Sequence, residues 1–247
     1  MKILFLILDH HSVKHLSIAC QETWLQDVDS SSEIVFLGDK SMPDVIRGNE
    51  VYKPLEEEKR RDITHKMVLG YEYIMRKDWD YVLRVDTDVY CNIRNLEHFI
   101  EENKEIKKLY AGQGIHSLTE KFPMYLSNPG DVLPPKKYKY YYAQGGCYLI
   151  SRQALSVSLK NMFYPAPVRL WAEDLMVGEA MKASGVSLMD VPTKFDCGYA
   201  CTGWGRGHAP AQGKTLDERI KNMRSGYIST HNVSSDMIFQ IHRTLNK

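Results

Sequence analysis

Apolar residues recur along this chain with two alternating periods. The run from Lys2 to Leu8 is too short to cross a membrane and long enough for one buried strand. The polar loop Asp9-His10-His11-Ser12 follows, with Ser12 as the expected N-cap. Val13, Leu16, Cys20 and Trp24 then recur at helical spacing to about Gln26. Glu33 to Gly38 returns to a strand pattern. Strand, helix, strand predicts a parallel sheet with right-handed crossovers, whose ligands bind beyond the carboxyl ends of the strands.

The alternation continues. Met42 to Pro54 reads as loop with a short strand, and the charge run Glu56–Arg61 as the solvated start of a helix carried by Ile63, Met67, Tyr71 and Ile74 to about Lys77. Tyr81 to Val85 predicts a central strand. Asn92 or Asn95 caps a helix whose inner face is Leu96, Phe99 and Ile100, and Leu109 to Gly112 is a further strand. Ile115 to Lys139, rich in proline, reads as loop and hairpin crossing to a second sheet. Tyr140 to Ser151 is strand-like, but Gly145-Gly146 inside it predicts a bulge, a tight backbone crossing or a close approach to a ligand. Helices are expected from Ser151 through Leu159, from Glu173-Asp174 to a stop at Gly185, over Thr215–Met223, and after a Ser234 cap with Met237, Ile238, Ile241 and Leu245 inward. Val186–Val191 and Tyr227–His231 read as extended, and Thr193–Gly213 as a glycine-rich loop around Trp204. The whole is read as one α/β domain, residues 1–247, with a join near residue 112 between two halves.

The chemistry enters at the tip of the central strand. Asp86 and Asp88 are one residue apart, and on an extended chain positions i and i+2 point the same way. Two carboxylates at the end of an apolar strand are costly unless a cation joins them. An oxygen-loving divalent ion holding a diphosphate, Mn²⁺ or Mg²⁺, is the natural candidate; the plain alternative is a strand-end turn with two solvated aspartates.

Composition narrows the field. There are 32 basic and 31 acidic residues among 247, so nothing suggests a nucleic-acid groove or a polybasic membrane patch. The five cysteines are scattered, with no disulfide framework; a zinc site built on Cys197, Cys201 and His208 would lack ligands. No transmembrane segment is read, which predicts a soluble, cytoplasmic protein, or a Golgi-lumenal one if an N-terminal anchor has been removed.

Six stretches in order resemble the β-1,3-glycosyltransferase family of galactosyltransferases, N-acetylglucosaminyltransferases and Fringe. Cys20-Gln21-Glu22-Thr23-Trp24 is similar to its Ile-Arg-x-Thr-Trp, and Ile63-Thr64-His65-Lys66-Met67 to its Leu-Thr-Leu-Lys-Thr. Arg84 to Tyr90 resembles Lys-x-Asp-Asp-Asp-Val-Phe, and Tyr142 to Ser151 resembles Tyr-x-x-Gly-Gly-Gly-Tyr-x-x-Ser. Glu173 to Gly178 resembles Glu-Asp-Val-Tyr-Val-Gly, and His231 to Ser234 the closing His-x-Val-Ser. Gln21, Thr87 and Cys147 depart from the pattern where it has Arg, Asp and Gly.

The resemblance implies a GT-A type nucleotide-diphospho-sugar transferase fold: a mostly parallel central sheet flanked by helices, a smaller second sheet, a nucleotide-sugar half and an acceptor half. It implies inverting transfer of a hexose, galactose or N-acetylglucosamine first, from a UDP-sugar to a glycan acceptor, with Mn²⁺ or Mg²⁺. Asp88 is the first expected metal ligand and His231 the second, with Asp86 helping through a water or the ribose. Asp174 resembles the base. Lys66, Asp86, Thr87, Asp88, Gly145 and Gly146 are the expected cofactor-binding positions. Plainer readings stand beside these: Asp174 as a helix cap, His231 as an ordinary strand-end histidine, Lys66 as a surface lysine, Trp171 and Trp204 as packing. A non-catalytic nucleotide- or sugar-binding protein on the same fold, or a phosphohydrolase using the carboxylate pair, are the competing functions.

Overall fold

The computed structural model describes residues 1–46, 48–55, 63–118, 139–163, 173–196 and 214–246. The charge run Glu56–Arg61, most of the Ile115–Lys139 and Thr193–Gly213 loops, Trp171, and the Cys197, Cys201 and His208 group lie outside them.

The strands are β1 (Ile3–Leu8), β2 (Glu33–Leu37), β3 (Val45–Ile46), β4 (Asn49–Tyr52), β5 (Tyr81–Asp86), β6 (Val89–Cys91), β7 (Tyr110–Leu118), β8 (Lys139–Ser151), β9 (Met189–Asp190), β10 (Phe195–Asp196) and β11 (Ser229–His231). The helices are α1 (Lys14–Gln21), α2 (Ile63–Ile74), α3 (Ile93–Glu102), α4 (Arg152–Phe163), α5 (Glu173–Ala183), α6 (Leu216–Arg224) and α7 (Ser235–Leu245). The large sheet has the order β3-β4-β2-β1-β5-β8-β7-β9, and a small sheet the order β10-β11-β6. In the large sheet only β3 and β8 run against the other six strands. The mostly parallel sheet flanked by helices, with a smaller second sheet, is the architecture expected.

Period-two alternation explains why both faces are covered. Ile3, Phe5 and Ile7 of β1 point into one core with residues of α1, α3, α6 and α7. Leu4 and Leu6 point into the other with residues of α2, α4 and α5. A strand buried on both faces must be apolar throughout, and that is the sequence Ile-Leu-Phe-Leu-Ile-Leu. Such a run gives no clue to which face is which.

Several boundaries move. The first helix ends at Gln21, and Trp24 lies in a separate 3₁₀ turn, Trp24–Asp27. Its indole donates to the Val89 carbonyl (3.1 Å), so tertiary bonding, not helix continuation, places Trp24. Ser12 is not the N-cap. A 3₁₀ turn, His11–Val13, precedes α1, and the His10 side chain caps that turn. The predicted Val186–Val191 strand shrinks to β9, and β6 and β10 were not foreseen. The caps at Asn92 and Ser234 and the left-handed stop at Gly185 (φ 71°) are as expected; Thr215, read as the first helical residue, is instead the N-cap of α6, in a capping box with Glu218.

The glycine pair does mark a bulge. Gly112 faces Tyr148 and Gly114 faces Ala143, so Gln144 to Cys147 stand opposite the single residue Gln113. Helix α5 packs against this segment through Gly178, where a Cβ would lie 2.3 Å from Tyr142 Cβ. Gly178→Ala is therefore expected to destabilise the fold by about 1–3 kcal/mol, the usual cost of overpacking. Urea unfolding checks it: the midpoint should drop with an unchanged slope.

Candidate active site

The acidic pair sits where the chain leaves the large sheet for the small one. Asp86 is the last residue of β5, and Thr87-Asp88 form the turn into β6. The two carboxylates therefore converge through a tight turn, and not through strand alternation as the sequence suggested. Alternation instead pairs Arg84 with Asp86, Nη1 to Oδ1 at 2.8 Å.

His231 arrives from the other end of the chain. β6 pairs antiparallel with β11, which sets His231 opposite Val89. Asn232 takes the left-handed conformation (φ 59°), which asparagine tolerates, and the Val233 amide then donates to the Asp88 carbonyl at 3.1 Å. Behind this corner the buried Arg219 donates to Thr230 Oγ1 at 2.5 Å, to the His231 carbonyl at 2.7 Å and to the Asn232 carbonyl at 3.3 Å. His231 Nε2 ends 3.1 Å from Asp88 Oδ1 and 3.8 Å from Asp86 Oδ2. One ligand atom from each of the three lies within 4.8 Å of the others. Gln144 of the bulge stands 3.2 Å from His231 Nδ1; by turning its amide it can serve either ring tautomer.

The glycine pair joins this group to α5. A Cβ on Gly146 would fall 2.3 Å from His231 Nδ1, and one on Gly145 would fall 3.1 Å from Asp174 Oδ2. Two consecutive residues without side chains thus separate Asp174 from His231. The tight-crossing reading of the pair holds. Asp174 is not the helix cap: it lies in the first turn of α5, and its Oδ2 accepts from the Gly145 amide at 2.9 Å. Its Oδ1 accepts from the adjacent Leu175 amide at 2.8 Å.

Two residues here were not singled out from the sequence. Arg84 is buried in the middle of β5 and forms ion pairs with Asp86 on one side and Glu173 on the other. Glu173 also accepts from Tyr148 Oη at 3.1 Å, and Tyr148 Oη is 2.7 Å from Tyr71 Oη. The available signal was a lone cation inside an apolar strand, which requires a buried partner.

Four carboxylates, of Asp86, Asp88, Glu173 and Asp174, share this region with the Arg84 guanidinium. Burial pushes Glu173 up to about 8, against the pull of Arg84. Burial likewise raises Asp174 to about 6, opposed by the Leu175 and Gly145 amides and by Arg84. Asp86 is raised by burial despite Arg84 and His231. Burial disfavours charge on His231, but the hydrogen bond and charge of Asp88 outweigh it and its pKa rises. An excess of negative charge on part-buried carboxylates, with one imidazole among the oxygen donors, fits a hard divalent ion such as Mn²⁺ or Mg²⁺.

The remaining expected positions are near but distinct. Thr87 is buried, and its carbonyl accepts from Cys20 Sγ at 3.2 Å; burial pushes the Cys20 thiol up to about 12, so it stays a neutral donor. Lys66 is not a surface lysine. It is fully buried on α2, and its ammonium donates to the Asp9 carbonyl at 2.9 Å, at the end of the neighbouring strand β1.

A family model described as Galactosyltransferase matches residues 54–192, more than half of the chain. The chain belongs to the galactosyltransferase family. It is a glycosyltransferase enzyme, and the matched stretch carries β5, the acidic turn, the glycine bulge and Asp174. No curated protein matches it. Among solved structures it is similar to a putative glucose-1-phosphate thymidylyltransferase from Bacillus anthracis in complex with a sucrose. That match has 15% sequence identity and a TM-score of 0.40, covering 76% of this chain and 87% of that one. Among the described residues no helix is long and apolar enough to cross a membrane.

In this galactosyltransferase-family site Arg84 is the electrostatic keystone. Arg84→Met would leave the buried Glu173 and the part-buried Asp86 without their shared cation and is expected to cost about 3–5 kcal/mol. Arg84→Lys keeps the charge, loses the two-pronged geometry and should fall in between. Denaturant unfolding of both variants tests the order.

Proposed function

We propose that the protein is an inverting, metal-dependent hexosyltransferase. It would move galactose or N-acetylglucosamine from a UDP-sugar to a hydroxyl of a glycan acceptor, forming a β-1,3 linkage. Residues about 1–112 would hold the nucleotide-sugar and residues about 113–247 the acceptor, within one domain. The observation that carries this reading is the convergence of Asp86, Asp88 and His231 beside Asp174, joined by Gly145-Gly146, in a galactosyltransferase-family chain.

Asp88, His231 and Asp86 would hold Mn²⁺ (or Mg²⁺). Bound there, the ion supplies Lewis-acid stabilisation of the charge that develops on the departing diphosphate. The protein's own part is proton handling and orientation. Asp174 takes the proton of the acceptor hydroxyl as it attacks the sugar carbon opposite the leaving group, which inverts that centre. Each Asp174 oxygen is held by one backbone amide, and an ionised carboxylate keeps further lone pairs for the incoming proton. A base raised to about 6 is mostly ionised at neutral pH yet basic enough to share a proton in the transition state. Arg84 and Glu173 fix the spacing between the acidic turn and the start of α5. Lys66 and Thr87 would support the donor from beneath the sheet edge, and the side-chain-free Gly145-Gly146 surface would let it approach the backbone.

Transfer measured over a panel of UDP-sugars and glycan acceptors with Mn²⁺ tests the proposal. Asp174→Asn should lower kcat by about 10²–10⁴-fold, the usual contribution of a general base, while leaving UDP binding by calorimetry intact. Asp88→Ala should abolish the Mn²⁺ dependence of UDP binding. If no UDP-sugar turns over and Asp88→Ala leaves UDP binding unchanged, the assignment is wrong.

The pH profile offers a second check. Asp174 must be ionised to accept a proton, and its pKa is raised to about 6. The rate should therefore be full above that value and fall tenfold per unit as pH drops below it. An acid limb near the ordinary aspartate value of about 4 would remove Asp174 from the role.

A further inference from the structure

A second group of metal-type side chains comes together among the described residues: His10, His11 and Asp39. They lie on the loops leaving the carboxyl ends of β1 and β2. Leu8 pairs with Leu37 on one side and with Asp86 on the other, so this group and the acidic pair flank β1 from opposite sides.

His11 Nδ1 is 3.0 Å from Asp39 Oδ2, and His10 Nε2 is 3.8 Å from the same oxygen. Hydrogen bonding accounts for the first contact. The second is too long for a hydrogen bond, yet it aims a second imidazole nitrogen at the same oxygen. Donor atoms about 2.0–2.1 Å from a tetrahedral ion stand about 3.3 Å apart, and the two observed separations bracket that spacing.

The carboxylate is already built in. Asp39 is 6% exposed. Its Oδ1 accepts from the Ser41 amide (2.9 Å) and hydroxyl, and its Oδ2 from the His11 amide at 2.8 Å. Burial opposes its ionisation, but these Ser41 and His11 bonds outweigh that and hold the carboxyl below its usual range. His10 Nδ1 is 2.7 Å from Ser12 Oγ and accepts from the Ser12 amide at 3.2 Å. With a cation on Nε2 the ring proton moves to Nδ1, which gives up the long Ser12 amide bond and donates to the closer Ser12 Oγ instead, the outer partner that metal-bound histidines use. The two imidazole side chains are 40% and 56% exposed, so the fourth direction is open to water or a small ligand. Two imidazoles and one carboxylate suit Zn²⁺, whereas the oxygen-rich acidic site suits Mn²⁺. The geometry points to a second cation site in this chain, with His10 Nε2, His11 Nδ1 and one Asp39 oxygen binding a Zn²⁺-class ion beside an open position.

The test is Zn²⁺ binding to the untagged full chain, by calorimetry and by metal analysis after gel filtration. The background carries Asp88→Ala, His231→Ala, Cys197→Ser and Cys201→Ser to remove other donors. One equivalent should bind, and Co²⁺ in its place should show the visible absorption of a four-coordinate nitrogen–oxygen site. His10→Ala and His11→Ala should each weaken binding by about tenfold or more, and Ser12→Ala by about tenfold, as loss of an outer-sphere partner does. Circular dichroism establishes that each variant is folded. Failure of the folded background protein to retain Zn²⁺, or an equivalent that survives either histidine substitution, overturns the site.

Discussion

One constraint shapes the whole molecule: residues 81–91 belong to two sheets at once. β5 is a central strand of the large sheet and β6 an edge of the small one, with only Thr87-Asp88 between them. The chain cannot make that transfer without a sharp turn at the carboxyl edge, and the turn presents two aspartates to one point. The small sheet then has a clear task. By pairing β6 with β11 it carries His231, from near the end of the chain, to within 3.1 Å of Asp88. Arg219 and the Val233–Asp88 backbone bond hold that corner in place.

A dense cluster of acid groups would repel itself unless something offset it. Arg84 does so from inside β5, bridging the metal-type carboxylate Asp86 and the helix-start carboxylate Glu173. Buried ion pairs rarely add net stability, because desolvation consumes most of the Coulomb gain. Here the pair instead fixes a distance: it ties the acidic turn to the first turn of α5, and hence to Asp174. The elevated Glu173 and Asp174 values are the electrostatic signature of a site whose negative charge is only partly matched, as in many catalytic clefts.

Much was legible without coordinates. The parallel α/β plan followed from where strand and helix periods alternate. The caps at Asn92 and Ser234 and the stop at Gly185 followed from residue chemistry. Each depends only on neighbours within a few positions. The ordered motifs pointed to the family whose model matches residues 54–192.

What the sequence determined by itself is thus the local structure, the family and a short set of chemically suited residues. Tertiary structure alone decided how these meet. Asp86 and Asp88 converge by a turn, not by strand alternation; Trp24 leaves the first helix to bond Val89; Lys66 is interior; and Arg84, given no role of its own in the linear pattern, proves central. His10, His11 and Asp39 are likewise joined only by strand pairing. The physical reason is common to all of these. Apart from the Asp86–Asp88 turn and the Arg84–Asp86 pair, whose members are neighbours in the chain, they rest on contacts between residues tens to well over a hundred positions apart, set by sheet register and by the need to partner buried charge, and neither leaves a periodic mark on the chain.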